Sequence, residues 1–588
     1  LGFRWFGLRF VPYGANRSQN SSIRSLEKAI FSSKINTRAK KLRSGLRGGS
    51  DAGAAWCALY GRRRGTPRLR LRYFLANFCY SARFGFNIFV NTESARKNNL
   101  KRYFMTRTIT LILLLGLLSC CSSGKDDDAR KGGGSKSDPD AVGLTLSQQS
   151  KTIPENIFGY NTQSIKGPGW DKAEFINRIA ELNPGNFRYP GGTVGNFWDW
   201  RTGYYNEIGK EVNVIAPSPA GPLPYKLEHV KMVYDRTGAA PVFLINMLTS
   251  TYEEQLAMLK YARSIGLPVE YIEMGNEYYL DDHPEKYNYL TKFPETTDYT
   301  DLCRVWTAGF RKEFPEARIA LIGVNTPASW IKRPRAREWN GVVMSNMQGI
   351  ECDAVTIHIY PKNALASPTP YDMIGQTLAA VAQGKVLDAS IDSKYKLWVT
   401  EYNFESGSNP FPGQWVHGLA ATLMSAQLIA TPRVELICFF NLTAGKSASA
   451  IFDADVSIAG ATAPKYALSA TGEGLKMLSK AQRGAVTVKT VRFSDNPQLD
   501  TQKHGKINSL YGYLFGGDVS RLLLLNLGPE AKTVATDGLG FAAASFEQIS
   551  AGSPETPVTG PSSLARLSRK VDASKQVVLR PYSITVIQ

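Results

Sequence analysis

From about residue 153 the chain alternates short apolar runs, rich in β-branched and aromatic residues, with longer stretches whose apolar positions recur every three or four residues. The first pattern has the period of a strand and the second that of an amphipathic helix, so together they spell βα units. Eight strands are predicted, over 157–161, 186–190, 242–246, 270–274, 319–324, 355–360, 397–401 and 436–441. Helical stretches separate them, among them AEFINRIAEL (173–182), EEQLAMLKYARSIG (253–266) and HGLAATLMSAQLIAT (417–431). Eight units in about 310 residues match a single (β/α)8 TIM barrel with insertions, an α/β fold, expected here over 141–474.

At about residue 475 the pattern changes to short alternating runs broken by Gly, Pro and Asn, such as GAVTVKTVRF (484–493), SRLLLLNLG (520–528) and KQVVLRPYSITVIQ (575–588). This predicts a C-terminal antiparallel β-sandwich over 475–588. The run VGLTLSQQSKTI (142–153) is expected to pair with it, although it precedes the barrel.

Barrel geometry gives the strand ends a meaning, because active sites on this fold are built at the C-terminal rim. Polar residues gather at those ends. Arg188 closes strand 2, Asn246 strand 3, Asn276 and Glu277 follow strand 4, His358 and Tyr360 close strand 6, Glu401 strand 7 and Asn441 strand 8. A polar residue at one strand end is an ordinary strand terminus; the set together marks a site.

The formal net charge of +20 suggests a nucleic-acid or anionic-membrane partner until it is divided along the chain. Residues 1–104 hold 22 of the 70 Lys and Arg but only Glu27, Asp51 and Glu93 among the 50 acidic residues, leaving 48 basic and 47 acidic for the rest. The body is nearly neutral, and the electrostatic case for nucleic acid goes with the extension. That extension has no methionine and no sustained hydrophobic period, and is expected to be disordered, non-native upstream sequence.

After Met105 comes Arg107, the apolar run 109–118 and Leu117-Leu118-Ser119-Cys120. This reads as an export signal too short to span a bilayer. It resembles a bacterial lipobox, which implies lipidation of Cys120 and an outer-membrane or cell-surface lipoprotein held to the membrane by that lipid alone. The polar segment GKDDDARKGGGSKSDPD (124–140) is expected to be a flexible tether closing the 105–140 region. Past Cys121 only Cys303, Cys352 and Cys438 occur, and the five histidines are scattered. Neither a disulfide framework nor a CxxC or HExxH spacing is present, so no metal and no cofactor is expected.

Two carboxylates carry the chemistry: Glu277 in VEYIEMGNEYY (269–279) and Glu401 in KLWVTEYNFE (396–405). Cleaving a glycoside with retention needs one carboxyl to protonate the leaving oxygen and a second, about 5 to 5.5 Å away, to attack the anomeric carbon. The acid needs a raised pKa and the nucleophile must stay ionised, which requires different surroundings. Arg188 and Tyr360 are suitable partners for Glu401.

Asn276-Glu277 after strand 4, His358-Ile-Tyr360-Pro after strand 6, Thr400-Glu401 after strand 7 and RYPGGTVGNFWDWRTG (188–203) after strand 2 together resemble clan A retaining glycoside hydrolases, most closely the α-L-arabinofuranosidases of glycoside hydrolase family 51. The resemblance covers about 142–588. It implies that Glu277 is the acid/base, Glu401 the nucleophile, and Asn276 the partner of the sugar hydroxyl beside the reacting carbon. Arg188 and Tyr360 would then aim Glu401, and His358 would orient the acid side. Asn246 and Gln163 would join the substrate contacts. Trp198 and Trp200, with Tyr204, Tyr205, Tyr278 and Tyr279, crowd the loops after strands 2 and 4, where aromatic faces either stack on sugars or pack the core.

Two positions depart from that family: Gln163 stands where a sugar-binding glutamate is common, and Glu405 where a tryptophan follows the nucleophile. The expected substrate is a plant or algal polysaccharide or its oligosaccharides. Other clan A activities (β-glucuronidase, xylanase or agarase type) and an inactive glycan-binding lipoprotein are the alternatives. Retention of both glutamates argues against the last.

Overall fold

The computed structural model describes residues 138–212, 225–280, 289–325, 334–386, 390–405, 407–443 and 448–588. The extension, the export signal with Cys120, and the tether up to residue 137 lie outside the described residues. Among the described residues no helix is long and apolar enough to cross a membrane.

Eight parallel strands close a barrel in chain order: β1 (Phe158–Asn161), β2 (Asn186–Tyr189), β3 (Ala240–Leu244), β4 (Tyr271–Glu273), β5 (Arg318–Ile322), β6 (Ala354–Ile359), β7 (Lys396–Tyr402) and β8 (Val434–Phe440). Closure is made by β8 on β1, with Ile437 opposite Phe158 and Phe440 opposite Asn161. The outer ring contains α1 (Ala173–Leu182), α2 (Leu227–Thr237), α3 (Tyr252–Ser264), α4 (Thr296–Glu313), α5 (Pro334–Ser345), α6 (Pro370–Val386), α7 (Trp415–Ala430) and α8 (Ala470–Gln482). Each expected strand is present. The expected third strand sits two residues late: β3 ends at Leu244, and Asn246 lies in the loop beyond it.

Strand alternation divides the apolar residues between two cores. Ala240, Val242, Tyr271, Ala320, Ala354, Trp398, Leu436 and Cys438 form one cluster, which fills the barrel interior. Their neighbours in sequence, such as Phe243, Ile272, Ile319, Val399 and Ile437, belong to the larger core shared with the helices. Helix α7 has scarcely a polar face because it needs none: it packs against α6, α8, β8 and the accessory sheet.

The accessory domain is a curled, mostly antiparallel ten-stranded sheet. The expected early strand is part of it: Val142–Leu146 pairs antiparallel with Ala485–Phe493 and parallel with Lys532–Ala535. The sheet resumes at Ala485, after α8, so the change of pattern read at 475 falls inside a helix. In Arg521–Asn526 (RLLLLN) both faces are buried. Leu522 and Leu524 meet Val142, Leu144 and Ile587 inside the sheet domain, while Leu523 and Leu525 join Leu475, Leu478 and Ile584 in the core shared with the barrel.

Polar contacts reinforce that shared core. The first amides of α7 would be unpaired at a free helix end. Here Trp415 N donates to Thr556 O at 2.9 Å and Val416 N to Pro554 O at 2.7 Å, both from a loop of the sheet domain. The Trp415 indole donates to Tyr582 O at 2.7 Å. A second arm, the hairpin Gln498–Asp500 with Lys506–Asn508, reaches α6, where Gln502 N donates to Asp372 Oδ1 at 2.6 Å.

Leu525→Ala should therefore lower the unfolding free energy by about 2–5 kcal/mol, as expected for a leucine removed from a closed core. Val519→Ala, at a position 54% exposed, should change it by less than about 0.5 kcal/mol. Denaturant midpoints of the two variants check this pair.

Candidate active site

Going up the barrel interior, the inward positions turn from apolar to charged within one strand period. On β4 Tyr271 lies in the apolar interior and Glu273, two residues on, is a fully buried carboxylate; on β7 Trp398 is followed by Thr400. The register of β7 against β6 slips between Ile357 and His358, so that His358 faces Glu401. Such a bulge re-aims side chains, which lets Thr400 and Glu401 both serve the site.

The groups gather around Arg188, whose side chain is 0% exposed. Its Nε donates to Glu273 Oε2 at 2.5 Å and its Nη2 to Glu273 Oε1 at 3.0 Å. Nη1 donates to Glu401 Oε1 at 2.7 Å, and Nη2 also reaches Asn276 Oδ1 at 2.7 Å. Burial favours the neutral guanidine, but Glu273 first and Glu401 second more than offset it, and the pKa of Arg188 is raised.

Glu401 is held from three further sides. Asn161 Nδ2 donates to Oε1 at 3.3 Å and the Tyr360 hydroxyl to Oε2 at 2.6 Å. Burial and then Glu401 itself push Tyr360 well above its ordinary range, so it stays a donor. The Gly191-Gly192 turn brings backbone against this carboxylate. Both glycines have positive φ, 92° and 41°; a Cβ on Gly192 would lie 3.2 Å from Glu401 Oε1, and one on Gly191 2.5 Å from Asn161 Oδ1. No larger residue fits there without displacing the carboxylate or its partner.

Glu277 sits across the mouth with 20% of its side chain exposed and with φ 53°, a left-handed conformation rare outside glycine. Its Oε1 meets His358 Nδ1 at 2.8 Å and accepts from the Tyr279 hydroxyl at 2.9 Å. His358 Nε2 lies 3.2 Å from Thr400 Oγ1, and Thr400 donates to Glu273 Oε1 at 2.9 Å. Burial alone would lower the His358 pKa, yet Glu401 and Glu277 outweigh it and hold it above 6.5. Burial would likewise raise Glu277, but the His358 cation and the hydrogen bonds from His358 and Tyr279 outweigh that and hold it below the usual carboxylate range. For Glu277 this direction is the reverse of the raised pKa expected of an acid from the sequence, and its cause is the contact with His358.

Donor atoms of Glu277, His358 and Glu401 lie within 4.8 Å of one another. This set does not suit a metal. Glu401 already spends Oε1 on Arg188 and Asn161 and Oε2 on Tyr360, and a metal cation would have to sit beside the fixed guanidinium charge.

The site thus unites Arg188, Asn276, Glu277, His358, Tyr360 and Glu401. Gln163 stands at its edge: its backbone N donates to Asn161 Oδ1 at 3.2 Å and its Oε1 accepts from Asn441 at 3.1 Å. Asn246, Trp198 and Trp200 are placed elsewhere. Asn246 binds Gln255, Trp198 O and Thr249; Trp198 is buried with its indole N–H on the Tyr189 hydroxyl; Trp200 packs on Tyr261 beneath Arg201. They build the loops after β2 and β3 by packing, the other of the two roles open to such tryptophans. Sequence reasoning passed over Glu273 and Asn161, named Thr400 only as the neighbour of Glu401, and took Tyr279 as one of the loop aromatics. Glu273 was detectable as a charge on the inward phase of an apolar strand, and Asn161 as one more polar strand end.

No protein-family model matches the sequence, and no curated protein matches it. Many solved structures share the fold. A family 51 α-L-arabinofuranosidase from Bifidobacterium longum is 14% identical, with 76% of this chain and 99% of that chain covered at a TM-score of 0.58. The family 51 arabinofuranosidase from Xanthomonas axonopodis pv. citri is 16% identical over 76% and 100%, at 0.56. A 4-O-α-L-rhamnosyl-β-D-glucuronidase from Fusarium oxysporum is 14% identical over 76% and 99%, at 0.52. At these identities the likeness is one of fold, a (β/α)8 barrel with an accessory sheet of the kind found in family 51 glycosidases.

The charge pair Glu277–His358 has a pH signature. A raised His358 contributes stability that is complete below 6.5 and lost as pH rises through its folded value. A depressed Glu277 contributes stability that is complete above 4.5 and lost as pH falls through its folded value. The stability difference between wild type and His358→Phe should therefore be largest between pH 4.5 and 6.5 and shrink on both sides, as read from urea midpoints across pH.

Proposed function

We propose that this protein is a retaining glycoside hydrolase that cleaves O-glycosidic bonds by double displacement. The observation that carries the reading is the separation of the two carboxylates: an oxygen of Glu277 and one of Glu401 lie within 4.8 Å. Retaining enzymes need about 5–5.5 Å between carboxyl groups, whereas inverting ones need about 6.5–9.5 Å to admit a water. In the first step Glu401 attacks the anomeric carbon as the leaving oxygen takes a proton from the Glu277–His358 pair, with Glu277 as the acid/base. In the second, water attacks the glycosyl-Glu401 ester, gives its proton back to the pair, and frees Glu401.

Asn276 supports a sugar in this place. Its Oδ1 is taken by Arg188, which fixes the amide orientation, and its buried Nδ2 has no partner among the described residues. An unpaired buried donor costs stability until a ligand satisfies it, and a sugar hydroxyl beside the reacting carbon would do so. The substrate class is a plant or algal polysaccharide or its oligosaccharides, and the activity is arabinofuranosidase-like in mechanism. The Cys120 anchor belongs to the same proposal on sequence grounds, and absence of lipid label in Cys120→Ala alone is its check.

Glu401→Gly should form no glycosyl-enzyme, and azide should restore turnover with an inverted glycosyl azide. Glu277→Ala should still form the intermediate from aryl glycosides with activated leaving groups, slow by about 10²–10⁴-fold on natural linkages, and give a retained azide. Product configuration by NMR decides the assignment; exchanged configurations reverse it, and no turnover by wild type on any of a panel of arabinan, xylan, agar and glucuronide substrates removes the enzymatic reading.

Gln163 and Glu405 replace residues expected around an arabinofuranosyl unit. An aryl α-L-arabinofuranoside should accordingly be turned over about one to two decades less efficiently than the preferred substrate, the equivalent of one charge-assisted contact. Comparison of kcat/KM across the panel measures this.

A further inference from the structure

Glu273 has no place in the two-carboxylate chemistry, yet it accepts as many hydrogen bonds as Glu401. It is 0% exposed, so no substrate atom reaches it. Both of its oxygens accept from Arg188, and Oε1 accepts also from Thr400. One guanidinium therefore stands between two carboxylates, and the larger share of its hydrogen bonds goes to the one that does no chemistry.

Two effects follow from that arrangement. The first is orientation: the paired bonds to Glu273 fix the guanidinium plane, and this plane aims Nη1 at Glu401 and Nη2 at Asn276. The second is charge. A guanidinium facing Glu401 alone would stabilise its carboxylate strongly and blunt it as a nucleophile; a guanidinium already neutralised by Glu273 orients Glu401 while leaving it reactive. Resting on the reading of Glu401 as nucleophile, we infer that Glu273 is a positioning residue that sets the reactivity of Glu401 through Arg188.

The other groups facing Glu401 are accounted for. His358 Nδ1 lies 3.7 Å from Oε2, Tyr360 and Asn161 donate to the carboxylate, and Glu277 stands across the mouth. None of them touches Glu273 directly; a change confined to Glu273 reaches Glu401 through Arg188, through the field between the two carboxylates and, less directly, through Thr400, which stands between Glu273 and His358.

The test is Glu273→Gln in the full chain, assayed on whichever aryl glycoside of the panel wild type turns over. Removing the buried negative charge should move the acidic limb of kcat/KM down by about one to two pH units, the order expected for loss of one neighbouring unit charge at an effective dielectric near 20. The same variant should slow formation of the glycosyl-enzyme more than its hydrolysis, because a less basic Glu401 attacks worse and leaves better. Any pre-steady-state burst seen in wild type should therefore shrink. Glu273→Asp, which keeps the charge but withdraws it by one methylene, should move the limb in the same direction by less than half as much. It carries the test alone if Glu273→Gln does not fold.

A purely structural role for Glu273 predicts a lower melting temperature and lower kcat with the limb in place. An unmoved acidic limb in either folded variant, or one that moves to higher pH, overturns the inference. Absence of wild-type turnover on every substrate would overturn the hydrolase reading instead, which keeps the two failures distinct.

Discussion

Everything polar at the mouth of this barrel depends on one buried cation. A guanidinium sealed from water is tolerable only if its charge is met and each of its nitrogens has a partner, since desolvating an ion costs more than any single contact returns. Arg188 meets that condition by drawing residues from β2, β4, β7 and the loop after β4 into one cluster. Aligning these residues is a folding requirement before it is a catalytic one. A chain that failed to bring Glu273 and Glu401 to the same guanidinium would leave an uncompensated charge in its core. The geometry of the cluster is thus enforced by electrostatics that act whether or not a ligand is present.

The same cluster explains why the two glutamates differ. Glu401 is bound by a fixed cation and by neutral donors, while Glu277 has His358, a partner that is itself titratable, and one face open to solvent. Environment gives two chemically identical side chains different partners and different access to solvent. The left-handed backbone at Glu277 belongs to this separation, because it lifts that carboxylate out of the strand line and away from the guanidinium that claims Glu273 and Glu401.

Much of this was legible before the structure, and the parts that were not share a cause. Period alone placed eight strands and their order, since an apolar run bounded by turn residues has few alternatives once it repeats. Strand ends then pointed to Arg188, Glu277, His358, Tyr360 and Glu401. Glu273 escaped notice because it lies within a strand, where sequence reasoning looks for packing rather than charge. Trp198 and Trp200 were ambiguous for a related reason: aromatic residues in loops obey the same composition whether they stack on a ligand or on a neighbouring tyrosine, and only contacts distinguish the two. The change of pattern near 475 was offset because α8 is itself buried, so its residues carry little polar signal.

The hydrogen bonds from the first amides of α7 to Thr556 and Pro554 have a consequence for how the two domains are joined. That helix follows the loop that leaves Glu401, and its opening turn is completed by carbonyls belonging to another domain. Two folding units joined in this way share one helix start, so the loop of one completes the backbone hydrogen bonding of the other. The accessory sheet is accordingly coupled, through the opening turn of α7 and the loop before it, to the strand that carries Glu401.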